Sequence, residues 1–139
     1  MAVTEIMEKE GIRLAGAARH FALPETLDCG QAFRWRCRED GSWEGVAGGR
    51  YLRVESQGED VCLWGVGEEA LPFWREYFDL GRDYQALEVL FRRNPQLRRA
   101  MDLCPGIRVL HQEPWETLCT FILSANNNIP RIKGIVERL

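Results

Sequence analysis

Tight turns divide residues 33–64 into short segments in which apolar and polar side chains alternate. Residues 33–37 alternate in this way, and Asp40-Gly41 follows as a two-residue hairpin signal. A second turn at Gly48-Gly49 leads into residues 51–55, where Leu52 and Val54 share one face. A polar turn then precedes the apolar residues 61–64. This pattern predicts an antiparallel meander with one packed face, and residues 11–22 are expected to add one or two strands.

The apolar residues beyond residue 70 follow the spacing of amphipathic helices. We predict five helices, whose apolar stripes begin at Leu71, Tyr84, Leu97, Trp115 and Ile129. Pro114 suits the first turn of the fourth helix, and Asn128 can cap the last one, which is expected to run to Leu139. Because its stripe is unfinished at Leu139, we expect a polypeptide truncated just after the start of a helical domain.

The net charge of the 139-residue chain is −3, so any contact with nucleic acid must come from a local patch. Of its 18 basic residues only Lys9 and Lys133 are lysines. Arginine suits bidentate contacts with phosphates and bases, although a biased genomic composition is the simpler explanation. The densest basic segment is residues 92–99. A solvated helix junction is the default interpretation of this segment, and contact with phosphates is the alternative.

The five cysteines are widely spaced and contain no C-x-x-C pair, which indicates neither a disulfide framework nor a metal site. We expect reduced, mostly buried thiols. The N-terminus lacks the pattern of a signal peptide, and no apolar run is long enough to span a membrane. These features predict an intracellular protein, cytoplasmic and associated with the nucleoid if bacterial, with no cofactor, no metal and no membrane partner.

Two motifs stand out from this background. Residues 30–35 read Gly-Gln-Ala-Phe-Arg-Trp, a glycine turn that enters a strand, and a glycine also lets the backbone approach a ligand closely. Asn126, Asn127 and Asn128 precede Pro130-Arg131, and a helix-to-helix turn is the simpler explanation for them. Asn and Arg side chains also read base edges, so this loop could enter a DNA groove or fill the space of an extruded base.

The two motifs together resemble segments of the 8-oxoguanine DNA glycosylases. Residues 30–35 are similar to a G-Q-[SA]-F-R-W segment of that family. Residues 121–132 are similar to its F-I-x-S-x-N-N-N-I-x-R-I segment, and residues 134–139 continue the match. The motifs occur in the family's order and separation, and the resemblance covers most of the chain from about Gly11 onward.

The resemblance implies a twisted antiparallel sheet flanked by helices, similar to one half of a TATA-binding protein, over residues 1–110. Residues 111–139 would be the first helices of an all-helical domain that contains a helix-hairpin-helix. The family excises 8-oxoguanine opposite cytosine from double-stranded DNA by base flipping, and a lysine that forms a Schiff base then permits strand cleavage.

Roles are carried over only to residues that match. Gly30 would offer its backbone carbonyl to the N7–H of 8-oxoguanine, an interaction that normal guanine cannot make. Asn126 would enter the gap left by the flipped base, and Arg131 would hydrogen-bond the orphaned cytosine. Asn127 and Asn128 would shape the loop.

The family's catalytic Lys and Asp have no matching positions here, and Lys133 does not occupy the nucleophile's place. We therefore assign no catalytic residue to this chain and expect it to be inactive alone. The alternatives are a stand-alone, non-catalytic DNA-binding or interaction module and a fragment of an alkylbase DNA glycosylase. We also expect the isolated chain to expose the apolar face of residues 129–139 and to self-associate through it.

Overall fold

Six strands form one antiparallel sheet in a computed structural model that describes residues 3–8 and 10–139. They are β1 (Thr4–Glu8), β2 (Gly11–Ala15), β3 (Trp35–Cys37), β4 (Trp43–Ala47), β5 (Arg50–Gln57) and β6 (Asp60–Trp64). Their order across the sheet is β1-β2-β6-β5-β4-β3, so the meander of β3 to β6 is extended by β2 and then β1. Together with the helices that follow, this sheet confirms the predicted α+β fold.

Six α-helices lie in the described part of the chain: α1 (Leu23–Leu27), α2 (Leu71–Tyr77), α3 (Tyr84–Phe91), α4 (Pro95–Leu103), α5 (Pro114–Ser124) and α6 (Ile129–Val136). Side-chain oxygens of Asp83, Asn94 and Glu113 accept hydrogen bonds from first-turn amides of α3, α4 and α5. The predicted helices therefore begin where local capping satisfies their first amides. The five-residue α1 was not predicted, because it is too short to show a helical stripe.

The register of β3, β4 and β5 places a glycine beneath a large aromatic ring. Gly45 of β4 lies opposite Trp35 on one side and opposite Leu52 on the other. A Cβ atom on Gly45 would lie 2.6 Å from the Trp35 indole, so only glycine lets the ring lie against this strand. Trp35, Leu52 and Val54 are all fully buried, as the alternation in the sequence predicts.

Aromatic side chains of α2 join the helices to the sheet. The Trp35 indole N–H donates a hydrogen bond of 2.9 Å to the Tyr77 hydroxyl. Burial raises the pKa of Tyr77 to about 12, so the hydroxyl stays protonated at neutral pH. Trp74 and Phe78 stack with their ring centroids 5.7 Å apart, and Trp74 meets Trp35 edge-on at 6.4 Å. This aromatic layer fixes the end of α2 over β3.

Arg108 lies in the connector between α4 and α5, with 1% of its surface exposed. Its guanidinium donates hydrogen bonds to the backbone carbonyls of Phe78 at 2.9 Å, His20 at 3.0 Å and Asp79 at 2.8 Å. The guanidinium also lies 4.1 Å from the centroid of the Tyr84 ring. Burial lowers the pKa of Arg108, but a guanidinium remains charged at any physiological pH. One side chain thus joins its own connector to two other parts of the backbone.

The structure corrects two further predictions. The cysteines are not mostly buried: Cys29, Cys37 and Cys104 are exposed, because they follow α1, end the edge strand β3 and follow α4. In addition, α6 ends at Val136 instead of Leu139, since the Arg138 amide bonds to the Ile135 carbonyl in a tighter turn.

The apolar face of α6 is also less exposed than expected. Ile132 is only 3% exposed, whereas Leu139 is 91% exposed. The larger exposed apolar surface lies on α5 and consists of Trp115, Leu118, Phe121 and Ile122. Self-association therefore remains a prediction, and the structure moves the surface that would mediate it from α6 to α5.

We expect Arg108→Lys to lower the free energy of unfolding by about 3 kcal/mol, because one ammonium group cannot satisfy three buried carbonyls in this geometry. Urea denaturation of the two proteins measures the difference. Arg99→Lys is the matched control, since Arg99 is exposed and should change stability by no more than about 0.5 kcal/mol. Equal effects at the two positions would contradict the role assigned to Arg108.

Candidate nucleic-acid interface

The loop between α5 and α6 is held by two of its three asparagines. The Asn127 side-chain amide donates a hydrogen bond of 2.6 Å to the Leu123 carbonyl, which closes the last turn of α5. The Asn128 side-chain oxygen accepts a hydrogen bond of 3.0 Å from the Arg131 amide, so Asn128 is the N-cap of α6. Both amides are thus used to shape the turn.

Asn126 and Arg131 are used differently. Asn126 has a φ of +56°, a left-handed conformation that asparagine tolerates better than most residues. Its side chain and that of Arg131 are both exposed, and neither makes a hydrogen bond or ion pair with any described residue. The loop and the first turn of α6 therefore offer an amide and a guanidinium whose polar groups remain available to a ligand.

Gly30 lies in a turn against the first residue of α6. Its φ is +91°, and a Cβ atom would lie 3.2 Å from Cδ1 of Ile129. The Gly30 carbonyl accepts no hydrogen bond from the part of the chain that the structure describes. The fold thus brings the two sequence motifs together, because the Ile129 side chain lies beside Gly30, almost 100 positions away in the sequence.

Gln31 anchors this turn, a role that the sequence did not reveal. Its side-chain nitrogen donates to the carbonyls of Thr26 and Arg108, both at 2.8 Å, and its side-chain oxygen accepts from the Leu110 amide at 3.0 Å. Its backbone carbonyl accepts a hydrogen bond from the Gln112 side chain. With both faces of its amide paired, Gln31 fixes the backbone next to Gly30 to the connector that carries Arg108.

Ion pairs connect residues 28–36 to α5 and to the last helix. Within the described residues they join Lys133 to Asp28 at 2.6 Å, Arg36 to Glu137 at 2.9 Å and Arg34 to Glu116 at 3.5 Å. Lys133 is the most sheltered of these six side chains, with 23% of its surface exposed. The three pairs could not be predicted from the sequence, because each joins residues more than 80 positions apart.

The basic segment of residues 92–99 is partly neutralised within its own helices. Arg92 pairs with Glu88 and with Asp102, both at 2.8 Å, and these partners raise the pKa of its guanidinium. Arg93 and Arg99 are exposed. The arrangement favours the simpler explanation, a solvated junction between α3 and α4, over a dedicated phosphate site.

In residues 3–8 and 10–139, no three His, Cys, Asp or Glu side chains come together as ligands of a metal ion would. None of the helices in the same residues has both the length and the apolar character that crossing a bilayer requires.

The chain shares its fold with DNA glycosylases whose structures are solved. The apo-form of the 8-oxoguanine glycosylase/lyase of Clostridium acetobutylicum is 40% identical, with a TM-score of 0.84. The same enzyme in complex with double-stranded DNA that contains cytosine opposite 8-oxoguanine has a TM-score of 0.86 and is 38% identical. Each alignment covers 96% of this chain and 46% of the bacterial chain.

Sequence comparison assigns the family. The model of the N-terminal domain of 8-oxoguanine DNA glycosylase matches residues 13–118. The chain therefore belongs to the 8-oxoguanine DNA glycosylase family. The N-glycosylase/DNA lyase OGG1 of Arabidopsis thaliana is 29% identical over 124 residues, and the N-glycosylase/DNA lyase of Saccharomyces cerevisiae is 74% identical over 34 residues.

This chain spans only part of each relative. The alignment covers 83% of this chain and 33% of the Arabidopsis protein, and 24% of this chain and 9% of the yeast protein. The boundary predicted at residue 110 stays a prediction, and so do the DNA-contacting roles of Gly30, Asn126 and Arg131.

We expect Gly30→Ala to destabilise the chain more than Gly41→Ala does. Both glycines have positive φ, +91° and +82°, so an alanine costs about 1–2 kcal/mol at either position. Only at Gly30 does the added methyl group also meet another side chain, Ile129. Urea denaturation compares the two variants with Gly30→Ala/Ile129→Val, which lacks the contacted methyl and should recover the difference. Equal losses at the two glycines would contradict a close approach of α6 to Gly30.

Proposed function

We propose that this chain is the part of an 8-oxoguanine DNA glycosylase that reads the damaged base and the cytosine opposite it. The parent enzyme would flip 8-oxoguanine out of the duplex, excise it and cleave the strand through a lyase step. The observation that carries the proposal is the pair of unpartnered side chains, Asn126 in the loop and Arg131 in the first turn of α6, on a helix that begins beside Gly30, whose carbonyl is unpaired. Membership of the family and the likeness to an enzyme solved on lesion-containing DNA support it.

The Gly30 carbonyl can distinguish the damaged base through a single proton. In 8-oxoguanine N7 carries a hydrogen and donates, whereas in guanine N7 is an acceptor that would face the carbonyl lone pairs. A buried polar group left without its hydrogen bond costs about 1–3 kcal/mol, which corresponds to roughly 5- to 150-fold in affinity. The turn keeps this carbonyl free of internal donors, as such a test requires.

The exposed side chains of Asn126 and Arg131 match the edge of an unpaired cytosine. Cytosine presents two adjacent acceptors and one amino donor on its pairing edge. The guanidinium of Arg131 supplies donors only, in a fixed fork, and the amide of Asn126 supplies both a donor and an acceptor. Adenine offers a single ring acceptor beside its amino group, so a guanidinium fork can satisfy it less fully. Preference for cytosine follows from this donor count.

No group in the chain is assigned to the chemical step. Lys133, the one lysine among the described residues, bonds to Asp28 through its ammonium group. The family resemblance instead implies a lysine of a helix-hairpin-helix and a separate aspartate. We therefore propose that recognition resides here and that bond cleavage resides in other parts of the parent enzyme.

Strand cleavage of an 8-oxoguanine·C duplex, with borohydride trapping alongside, tests this division. The complete product of the encoding gene should cleave the duplex and be trapped on it, and the 139-residue chain should do neither. Activity of the chain alone would instead make Lys133, the N-terminal amine or Lys9, which lies outside the described residues, the nucleophile. Binding without cleavage by the complete product would favour a stand-alone recognition module.

Sedimentation of the isolated chain examines self-association through α5.

Asn126→Ala and Arg131→Ala in the complete product should each reduce the preference for cytosine over adenine opposite 8-oxoguanine. We expect about a 5- to 150-fold reduction at each, the range for one lost hydrogen bond to a base. Single-turnover excision from the two duplexes gives the ratio. Arg99→Ala, also exposed and basic, is the control and should leave the ratio unchanged. Unaltered selectivity in both loop variants would remove their assigned role.

A further inference from the structure

One face of α6 lies against the turn that contains Gly30. Ile129 contacts Gly30, and Lys133, four residues further along the helix, bonds to Asp28 at 2.6 Å. Positions four apart lie on the same face of a helix, one turn above the other. The helix therefore holds the turn at two neighbouring points, one by packing and one by charge.

The same helix presents the second proposed reading group on another side. Arg131 follows Ile129 by two positions, which places it about 200° around the helix axis from the contact with Gly30. Asn128, the N-cap, ties the preceding asparagine loop to the first turn of α6 through the Arg131 amide. A rotation or shift of α6 would thus move Asn126 and Arg131 relative to the Gly30 carbonyl.

We propose that the ion pair between Lys133 and Asp28 positions the two base-reading elements relative to each other, so that lesion reading and opposite-base reading are coupled. This inference rests on the proposed function. The pair acts through α6, so both members are positioning residues and neither is catalytic. The buried Ile132 and the pair of Arg36 with Glu137 also hold α6 to the rest of the chain, but the packing of Ile129 beside Gly30 has no preferred direction. The ion pair of Lys133 with Asp28 is the directional contact beside Gly30, and it sets the position of α6 along the turn.

The pair is suited to positioning more than to global stability. Its members are 23% and 45% exposed, and solvent screens a pair of this exposure. Gln31 fixes the opposite flank of Gly30 to the connector, independently of α6. Loss of the ion pair would therefore leave the turn folded but let its distance from the asparagine loop vary.

The test uses the complete product of the encoding gene and four variants: Lys133→Met, Asp28→Asn, the charge swap Asp28→Lys/Lys133→Asp, and Arg36→Met. Two ratios are measured for each protein. The first compares the affinity for an 8-oxoguanine·C duplex with that for a G·C duplex, and the second compares the rate of 8-oxoguanine excision opposite cytosine with that opposite adenine. The two single variants at the pair should lose about 3- to 30-fold in both ratios together, and the swap should recover most of both. Arg36→Met breaks the pair with Glu137, away from Gly30, and should change neither ratio.

Hydrogen exchange of the Asp28 and Ile132 amides, which bond to the carbonyls of Pro24 and Asn128 at 3.0 Å, provides a readout that does not depend on DNA. Exchange should quicken in the two single variants and slow again in the swap. Unchanged ratios in the single variants would overturn the inference. The inference would also be overturned if the charge swap failed to restore the two ratios and if Lys133→Met lowered the salt dependence of DNA binding by about one ion. That result would make Lys133 a phosphate contact. A parent protein without any preference for 8-oxoguanine would instead refute the proposed function.

Discussion

The guanidinium of Arg108 joins the connector that precedes α5 to two other backbone segments, the turn after β2 and the end of α2. The charge has no carboxylate partner within hydrogen-bonding distance among these contacts and is satisfied by carbonyl oxygens, two of them at the end of α2. Carbonyls at a helix end lack donors within the helix, so a buried arginine can meet a need that the fold itself creates. The connector in turn fixes Gln31, because the Gln31 side chain donates a hydrogen bond to the Arg108 carbonyl and accepts one from the Leu110 amide. The position of Gly30 therefore depends on the buried Arg108, which acts through the connector and Gln31.

The extent to which the sequence predicts this structure depends on how far apart the interacting residues are. Alternation over residues 51–55, apolar stripes and prolines at helix starts are local signals, and they correctly predicted the meander and the presence of the five helices α2 to α6. Gln31 contacts Arg108 across 77 positions and Lys133 contacts Asp28 across 105, and no periodicity records such pairs. β1 was missed because it is an edge strand that pairs only with β2, so its sequence carries little burial pattern.

Burial was the weakest part of the sequence-based prediction, and the reason is physical. The stripes of α3 and α4 have helical spacing, yet neither helix buries a residue in this chain. A stripe shows that a helix has an apolar side but not which surface covers it. The same holds for α5, whose Phe121 is 73% exposed. Cysteines are ambiguous for a related reason: small and weakly polar, they are compatible with the core and with the ends of elements, where three of the five lie.

The asparagine loop is shaped by hydrogen bonds of its own side chains. Asn127 and Asn128 satisfy their hydrogen bonds within the turn, and Asn126 already occupies its left-handed conformation. A segment that is ordered in the free state loses little conformational entropy on association, so more of its contact energy appears as affinity. Recognition by such a loop also requires no slow rearrangement of the protein. Under the proposed function, the time spent at each site along a duplex would then be set by the opening of the base pair and not by a rearrangement of the protein.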